Sequence, residues 1–327
     1  MRAWRVHEHG RPVDVLRLDD GLAPLVPGPG EVRVTVEACA LNFADSLLCE
    51  GTYQEHPPLP FTPGLELCGT VAEVGAGVDR AVGERVIGLP LLPHGGLADE
   101  ALCATHDVFD VPQGMDAAVA AALPVTYQTA WFALHRRAGL QPGETVLVHA
   151  GAGGTGSATI ELAVAAGARV LATAGGPDKV ARCLALGAAE AFDYRAGDFV
   201  DLVKAATDGR GADVVVDPVG GDVFDRSRRC VAWEGRIVVV GFAGGRVADA
   251  PTNHLMVKNY AVIGLHWGAY RARDPALVHE CHRALIDLCT AGRIHPLVST
   301  ERAFTDAPRA LADLAGRGTT GKVVLRP

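Results

Sequence analysis

The chain has 327 residues, enough for two domains each with a core of its own. Hydrophobic residues make up 49% and charged residues 21%, and the formal net charge is −8 without a basic cluster, which argues against nucleic acid as a partner. No apolar run has the length of a membrane span, and Met1-Arg2-Ala3-Trp4-Arg5 lacks an apolar signal core, so a cytoplasmic protein without a membrane anchor is expected.

Residues 1 to about 110 read as short strands with glycine or proline corners. The alternating stretch 31–38 follows the turn Pro27-Gly28-Pro29-Gly30, and residues 69–74, 83–88 and 96–102 repeat the pattern. Regular short strands of this kind point to a small β-barrel. Asn42-Phe43-Ala44-Asp45 reads as a helix N-cap with an acidic third residue. Asp116 is placed to cap a helix over 117–122 that Pro124 breaks, and residues 126–137 continue as a helix with a basic last turn and a stop at Gly139.

The next stretch is the most informative. Thr145-Val146-Leu147-Val148 is a buried strand. Gly151, Gly153 and Gly156 form G-x-G-x-x-G in the run Gly151-Ala152-Gly153-Gly154-Thr155-Gly156, which opens an Ala/Leu-rich helix. A second strand, 169–174, follows. In such a strand–turn–helix–strand unit the glycines serve the tight turn, close approach of backbone to a pyrophosphate, and close packing of helix on strand. The helix start offers unpaired N–H groups and the positive dipole end, which favour an anion. A tight turn that binds nothing is the alternative in a chain with 39 glycines, but the flanking elements favour a dinucleotide.

An NAD site places a carboxylate near the tip of the second strand, for the ribose 2′-hydroxyl. Here the tip is Ala174-Gly175-Gly176, and Lys179 follows in the first turn of the next helix. Small residues and a cation suit a 2′-phosphate, so NADPH is expected; the alternative is that Gly176-Pro177 merely starts a helix and Lys179 is a solvated first-turn residue. Further strands at 191–194, 213–217, 236–240 and 260–265 complete a six-stranded doubly wound sheet, its runs apolar as both faces are covered. Residues 275–291 and 306–315 are helical and 322–325 a closing strand. These segments are expected to return to the first domain.

The eight cysteines include no Cys-x-x-Cys pair and sit in apolar patterns, so buried thiols are expected rather than disulfides or a zinc lobe.

Together, Leu41-Asn42-Phe43-Ala44-Asp45, Pro60-Phe61-Thr62-Pro63-Gly64-Leu65-Glu66, Gly83-Glu84-Arg85-Val86, Ala120-Ala121-Ala122-Leu123-Pro124, residues 149–156, Asp217-Pro218-Val219-Gly220-Gly221 and residues 235–242 resemble the medium-chain dehydrogenase/reductase superfamily, in its zinc-free quinone oxidoreductase branch. The resemblance covers nearly the whole chain. It implies a GroES-like β-barrel domain, 1–122 completed by 266–327, around a Rossmann domain, 123–265. Zinc-dependent relatives have Cys, His and Cys where this chain has Asn42, Leu65 and Val125, which offer no thiolate or imidazole. The resemblance therefore implies hydride transfer from NADPH to a quinone-like acceptor without a metal. An enone or enoyl thioester acceptor is the nearest alternative, and a non-enzymatic crystallin-like or RNA-binding role is another.

By the same resemblance, Asn42, Asp45 and Tyr53 serve catalysis, in a pocket between the domains near Phe242. Thr129 faces the nicotinamide. Gly151, Gly153, Gly154, Thr155, Gly156, Gly175, Lys179, Tyr194, Gly241, Phe242 and Arg317 hold the cofactor, and a homodimer is implied. His266, just past the last strand, is expected as a buried, satisfied histidine rather than a catalytic one.

Overall fold

A computed structural model describes residues 1–327, which divide into two compact units. The first comprises residues 1–125, 273–282 and 296–327, and the second residues 126–272 and 283–295.

In the first unit, β1 (Ala3–Val6) and β2 (Leu16–Asp19) pair antiparallel as a small ribbon. The next strands are β3 (Glu31–Ala40), β4 (Leu67–Val74), β5 (Arg85–Pro90) and β6 (Glu100–Asp110). Each pairs antiparallel with its neighbour, and β3 also pairs with β6, so the four close into a barrel. Closure leaves these strands no free edge and encloses apolar residues such as Val34, Leu67, Val86 and Ala101. The expected strand at 96–102 starts later and runs longer. Residues 95–97 instead bond the 62–64 loop, through Gly95 N–H to Thr62 O (3.0 Å), Gly96 N–H to Gly64 O (2.8 Å) and Leu97 N–H to Pro63 O (2.9 Å).

In the second unit, β7 (Thr145–Val148), β8 (Arg169–Ala174), β9 (Glu190–Asp193), β10 (Ala212–Asp217), β11 (Val231–Val239) and β12 (Ala261–Gly264) form one sheet in the order β12-β11-β10-β7-β8-β9. Every pairing is parallel. The chain winds outward from β7 in one direction and from β10 in the other. The topological switch therefore lies between β7 and β10, where ligands bind in open α/β sheets. This is the doubly wound Rossmann sheet that the sequence pattern predicts.

Residues 124–137 are helical but wider than expected. Pro124–Gln128 and Phe132–Arg137 are π turns flanking a short α segment, Thr129–Trp131. The apolar pattern specifies a buried face without fixing its pitch. The pitch follows the packing, in which the Tyr127 hydroxyl meets the buried Glu161 carboxylate and the Phe132 ring lies 4.4 Å from that of Tyr270.

The chain then returns to the first unit with β13 (Val298–Ala303) and β14 (Lys322–Arg326), which pair parallel. β14 also adds antiparallel to β3. The return is less complete than expected, because residues 266–272 and 283–295 group with the second unit. Hydrogen bonds tie the latter there: Arg293 Nη2 donates to Ala165 O (2.7 Å) and His295 N–H to Glu161 Oε1 (3.1 Å).

Candidate functional site

In the second unit the Gly-rich turn follows β7 and opens the helix Gly154–Ala165, whose N-cap is Gly153. No side chain caps this helix, which leaves its first N–H groups for a ligand. Two glycines are needed for internal packing. A Cβ at Gly156 would collide with the Ala150 carbonyl oxygen and lie 2.8 Å from Gly151 Cα. One at Gly151 would lie 2.9 Å from Cys183 Sγ and 3.0 Å from Ala172 Cβ. Around Gly153 there is more room, its nearest neighbour being Ala150 O at 3.3 Å. The turn thus fits a pyrophosphate, with Gly151 and Gly156 shaping it and Gly153, Gly154 and Thr155 at the helix entrance.

Buried side chains brace the tips of the strands around it. His149 bonds Thr173 Oγ1 (2.9 Å) through Nδ1 and Ser227 Oγ (2.8 Å) through Nε2. Burial lowers its pKa to about 4, so the ring is neutral at pH 7 and acts as a brace. Asp217 Oδ1 accepts from Val219 N–H (2.8 Å) and Gly220 N–H (2.9 Å), shaping the turn after β10. Gly241 and Phe242 follow β11, with Phe242 partly exposed, and Thr129 is nearly buried.

At the tip of β8 the structure assembles more than the sequence pattern predicts. Gly176 has a φ of 98°, which favours glycine, and Lys179 lies half-buried in the helix Pro177–Ala185. Tyr194 is brought over the tip, since a Cβ at Gly175 would lie 2.6 Å from its hydroxyl. Two residues were missed by sequence reasoning. The Arg195 side chain reaches the same place, 3.2 Å (Nε) from that Cβ position and 3.6 Å (Nη1) from the one on Gly176. Asp193 supplies a carboxylate from β9, accepting from Gly176 N–H and Arg195 N–H, each at 3.0 Å. These two bonds hold its pKa below the usual carboxylate range. No local signal in the sequence marks either residue; both reach the tip because Asp193 pairs with Ala174 across the sheet. Arg317 lies in the first unit, exposed at a φ of 59°, whereas Lys179 and Tyr194 belong to the second. His266 is exposed, contrary to expectation: it lies just beyond β12, after the sheet cover has ended.

In the first unit Asn42 begins the helix Phe43–Glu50 and its N–H donates to Asp45 Oδ2 (2.8 Å). Asp45 Oδ1 accepts from Gly64 N–H (2.9 Å), which ties the helix start to the Pro63-Gly64 loop. Burial holds the Asp45 carboxyl up at about 6 despite these bonds. Asn42 Nδ2 donates to Glu66 Oε1 (2.9 Å), and Val125 N–H to Glu66 Oε2 (2.7 Å). Tyr53 is partly buried against the core of this unit. Sequence reasoning gave Lys322 no role, yet its ammonium lies 2.7 Å from Glu66 Oε1 and contacts Asn42.

These residues do not fit a zinc ion. Asn42, Leu65 and Val125 bring no thiolate or imidazole, and Glu66 is already neutralised by an ammonium that would repel a cation. No group of three or more His, Cys, Asp or Glu side chains in the structure could hold a metal ion.

Two family models match the chain: "Alcohol dehydrogenase GroES-like domain" over residues 28–113 and "Zinc-binding dehydrogenase" over residues 154–283. Quinone oxidoreductase-like protein 2 of Rattus norvegicus is 43% identical, covering 93% of this chain and 87% of its own. The chain belongs to the quinone oxidoreductase branch of the medium-chain dehydrogenase/reductase superfamily. Solved structures of the branch agree over their full length. The quinone oxidoreductase of Escherichia coli, complexed with NADPH, superposes with a TM-score of 0.91 at 29% identity, covering 100% of both chains. That of Thermus thermophilus, also described in complex with NADPH, gives 0.86 at 37% identity with the same coverage.

Proposed function

We propose that this quinone oxidoreductase family member is an NADPH-dependent oxidoreductase that passes hydride to a quinone-like acceptor without a metal. The observation that carries the reading is the pairing of an uncapped, glycine-shaped helix start with a β8 tip where Tyr194 and Arg195 close on Gly175, with Lys179 in the first turn of the helix that follows. Bound NADPH supplies the hydride. The chain binds it, orients it and excludes water. Gly151, Gly153, Gly154, Thr155 and Gly156 hold the pyrophosphate, and Gly175, Lys179 and Tyr194 the 2′-phosphate. Thr129, Gly241 and Phe242 serve the nicotinamide end, and Arg317 adds a cation. Asn42 and Asp45 position the reacting groups, and the Tyr53 phenol donates a proton to the nascent quinol oxygen.

With no Lewis acid to polarise an alcohol, the acceptor is one that already takes hydride readily. A panel of quinones, enones and enoyl thioesters with NADPH tests this. Quinones should give the highest kcat/KM, EDTA should leave activity intact, and Tyr53→Phe should lower kcat by about 10²-fold. Preference for an enone or thioester moves the assignment to C=C reduction. Activity lost to EDTA and restored by zinc refutes the metal-free reading, and an unchanged kcat in the variant limits Tyr53 to packing.

We also propose a homodimer. β12 ends its sheet with one side unpaired, and Met256 and Val257 in the helix before it are about 70% exposed (72% and 69%). A second copy offers the same open strand, so the two edges can pair about a twofold axis. Sedimentation should give twice the chain mass. A monomer at micromolar concentration would remove the proposal.

A further inference from the structure

Lys322 is 3% exposed, an unusual place for an ammonium. β14 brings it there: Val324 pairs with Ala40, Leu325 with Cys39, and Leu41 N–H donates to Val323 O (2.9 Å). The first residue of β14 thus lies beside the start of the helix Phe43–Glu50. An ammonium has three donors, and three acceptors meet it: Leu41 O at 2.6 Å, Asn42 Oδ1 at 2.7 Å and Glu66 Oε1 at 2.7 Å. The group is fully engaged and has none left for a ligand.

The consequence falls on Asn42. A side-chain amide can flip, exchanging its oxygen and nitrogen. Here the oxygen faces an ammonium and the nitrogen faces the Glu66 carboxylate at 2.9 Å. A flip would set NH2 against the ammonium and oxygen against the carboxylate, and both contacts would become repulsive in a site with little water. Lys322 and Glu66 therefore fix the amide in one orientation. Asn42 keeps 7% of its surface, while Glu66 and Asp45 keep none. Its second amide hydrogen has only a long contact, to Ala40 O at 3.4 Å. We infer that Lys322 is a positioning residue: paired with Glu66, it orients the Asn42 amide for hydride transfer.

The inference rests on the reading that Asn42 serves the reacting end. Lys322→Met alone leaves Glu66 charged and buried, and such a variant can fail to fold for that reason. Lys322→Met/Glu66→Gln removes both charges together and keeps an oxygen on residue 66 for Val125 N–H. The double variant should melt within a few degrees of wild type and bind NADPH, read by nicotinamide fluorescence, within about 2-fold. Its kcat should fall about 10- to 100-fold, with a larger isotope effect when the transferred hydrogen is deuterium. If Lys322 acts through Asn42, then adding Asn42→Ala to the double variant should cost nothing beyond Asn42→Ala alone.

Independent, multiplicative effects would overturn the inference, as would an unchanged kcat in the double variant. A double variant that does not fold would also overturn it, by making the pair structural. An unchanged kcat in Asn42→Ala itself would instead refute the reading of Asn42, and the inference with it.

Discussion

Gly156→Ala weakens NADPH binding by about 10²- to 10³-fold. The added Cβ would collide with a backbone carbonyl, Ala150 O, and crowd Gly151 Cα at 2.8 Å, so no side-chain rotation relieves it. The turn must open or the helix must move. Either shift displaces the N–H groups that face the pyrophosphate, and a strain of about 3–4 kcal/mol corresponds to that loss of affinity. Fluorescence titration with NADPH measures the effect directly. Gly264→Ala is a suitable control, because a Cβ there would have nothing within 4 Å. Affinity unchanged in Gly156→Ala would mean that the turn does not form the cofactor site.

Lys179→Ala changes which cofactor is used. A 2′-phosphate carries nearly two negative charges, and a charge-assisted contact contributes about 1.5–3 kcal/mol, so kcat/KM for NADPH should fall about 10- to 100-fold. NADH lacks the phosphate, and its kcat/KM should barely change. Arg195 and Tyr194 remain at the tip and bound the loss from above. Asp193 works in the opposite sense as a carboxylate bonded to the tip, but two backbone N–H groups already share its Oδ1. If the wild type favours NADH, or if the variant loses both cofactors equally, Lys179 is only a helix residue.

Much of this was legible in the sequence because it was local. The glycine turn, the six apolar strands and the small residues at the tip of β8 are set by contiguous residues, as is the Asp116 N-cap, whose carboxylate accepts from Ala118 N–H at 2.7 Å. What was missed depends on distant partners. Arg195 reaches the β8 tip only because β9 pairs with β8, and Lys322 is buried only because β14 pairs with β3. Neither pairing leaves a mark near the residue in the sequence. The pitch of residues 124–137 and the late start of β6 were set by tertiary bonds in the same way.

The contact between Lys322 and Asn42 joins residues 280 apart in sequence. A chain emerging from the ribosome therefore has all of residues 126–272 available before the cation that completes the Asn42 cluster exists. Asn42, Glu66 and Asp45 must wait without their counter-charge until β14 arrives. A contact of such high sequence separation carries a large loop-closure cost and forms slowly. The parallel sheet can assemble early as its own unit, while the barrel half of the molecule matures last. In refolding, secondary structure of the second unit should thus appear before the Asn42 cluster closes, and catalytic competence should follow the slower event.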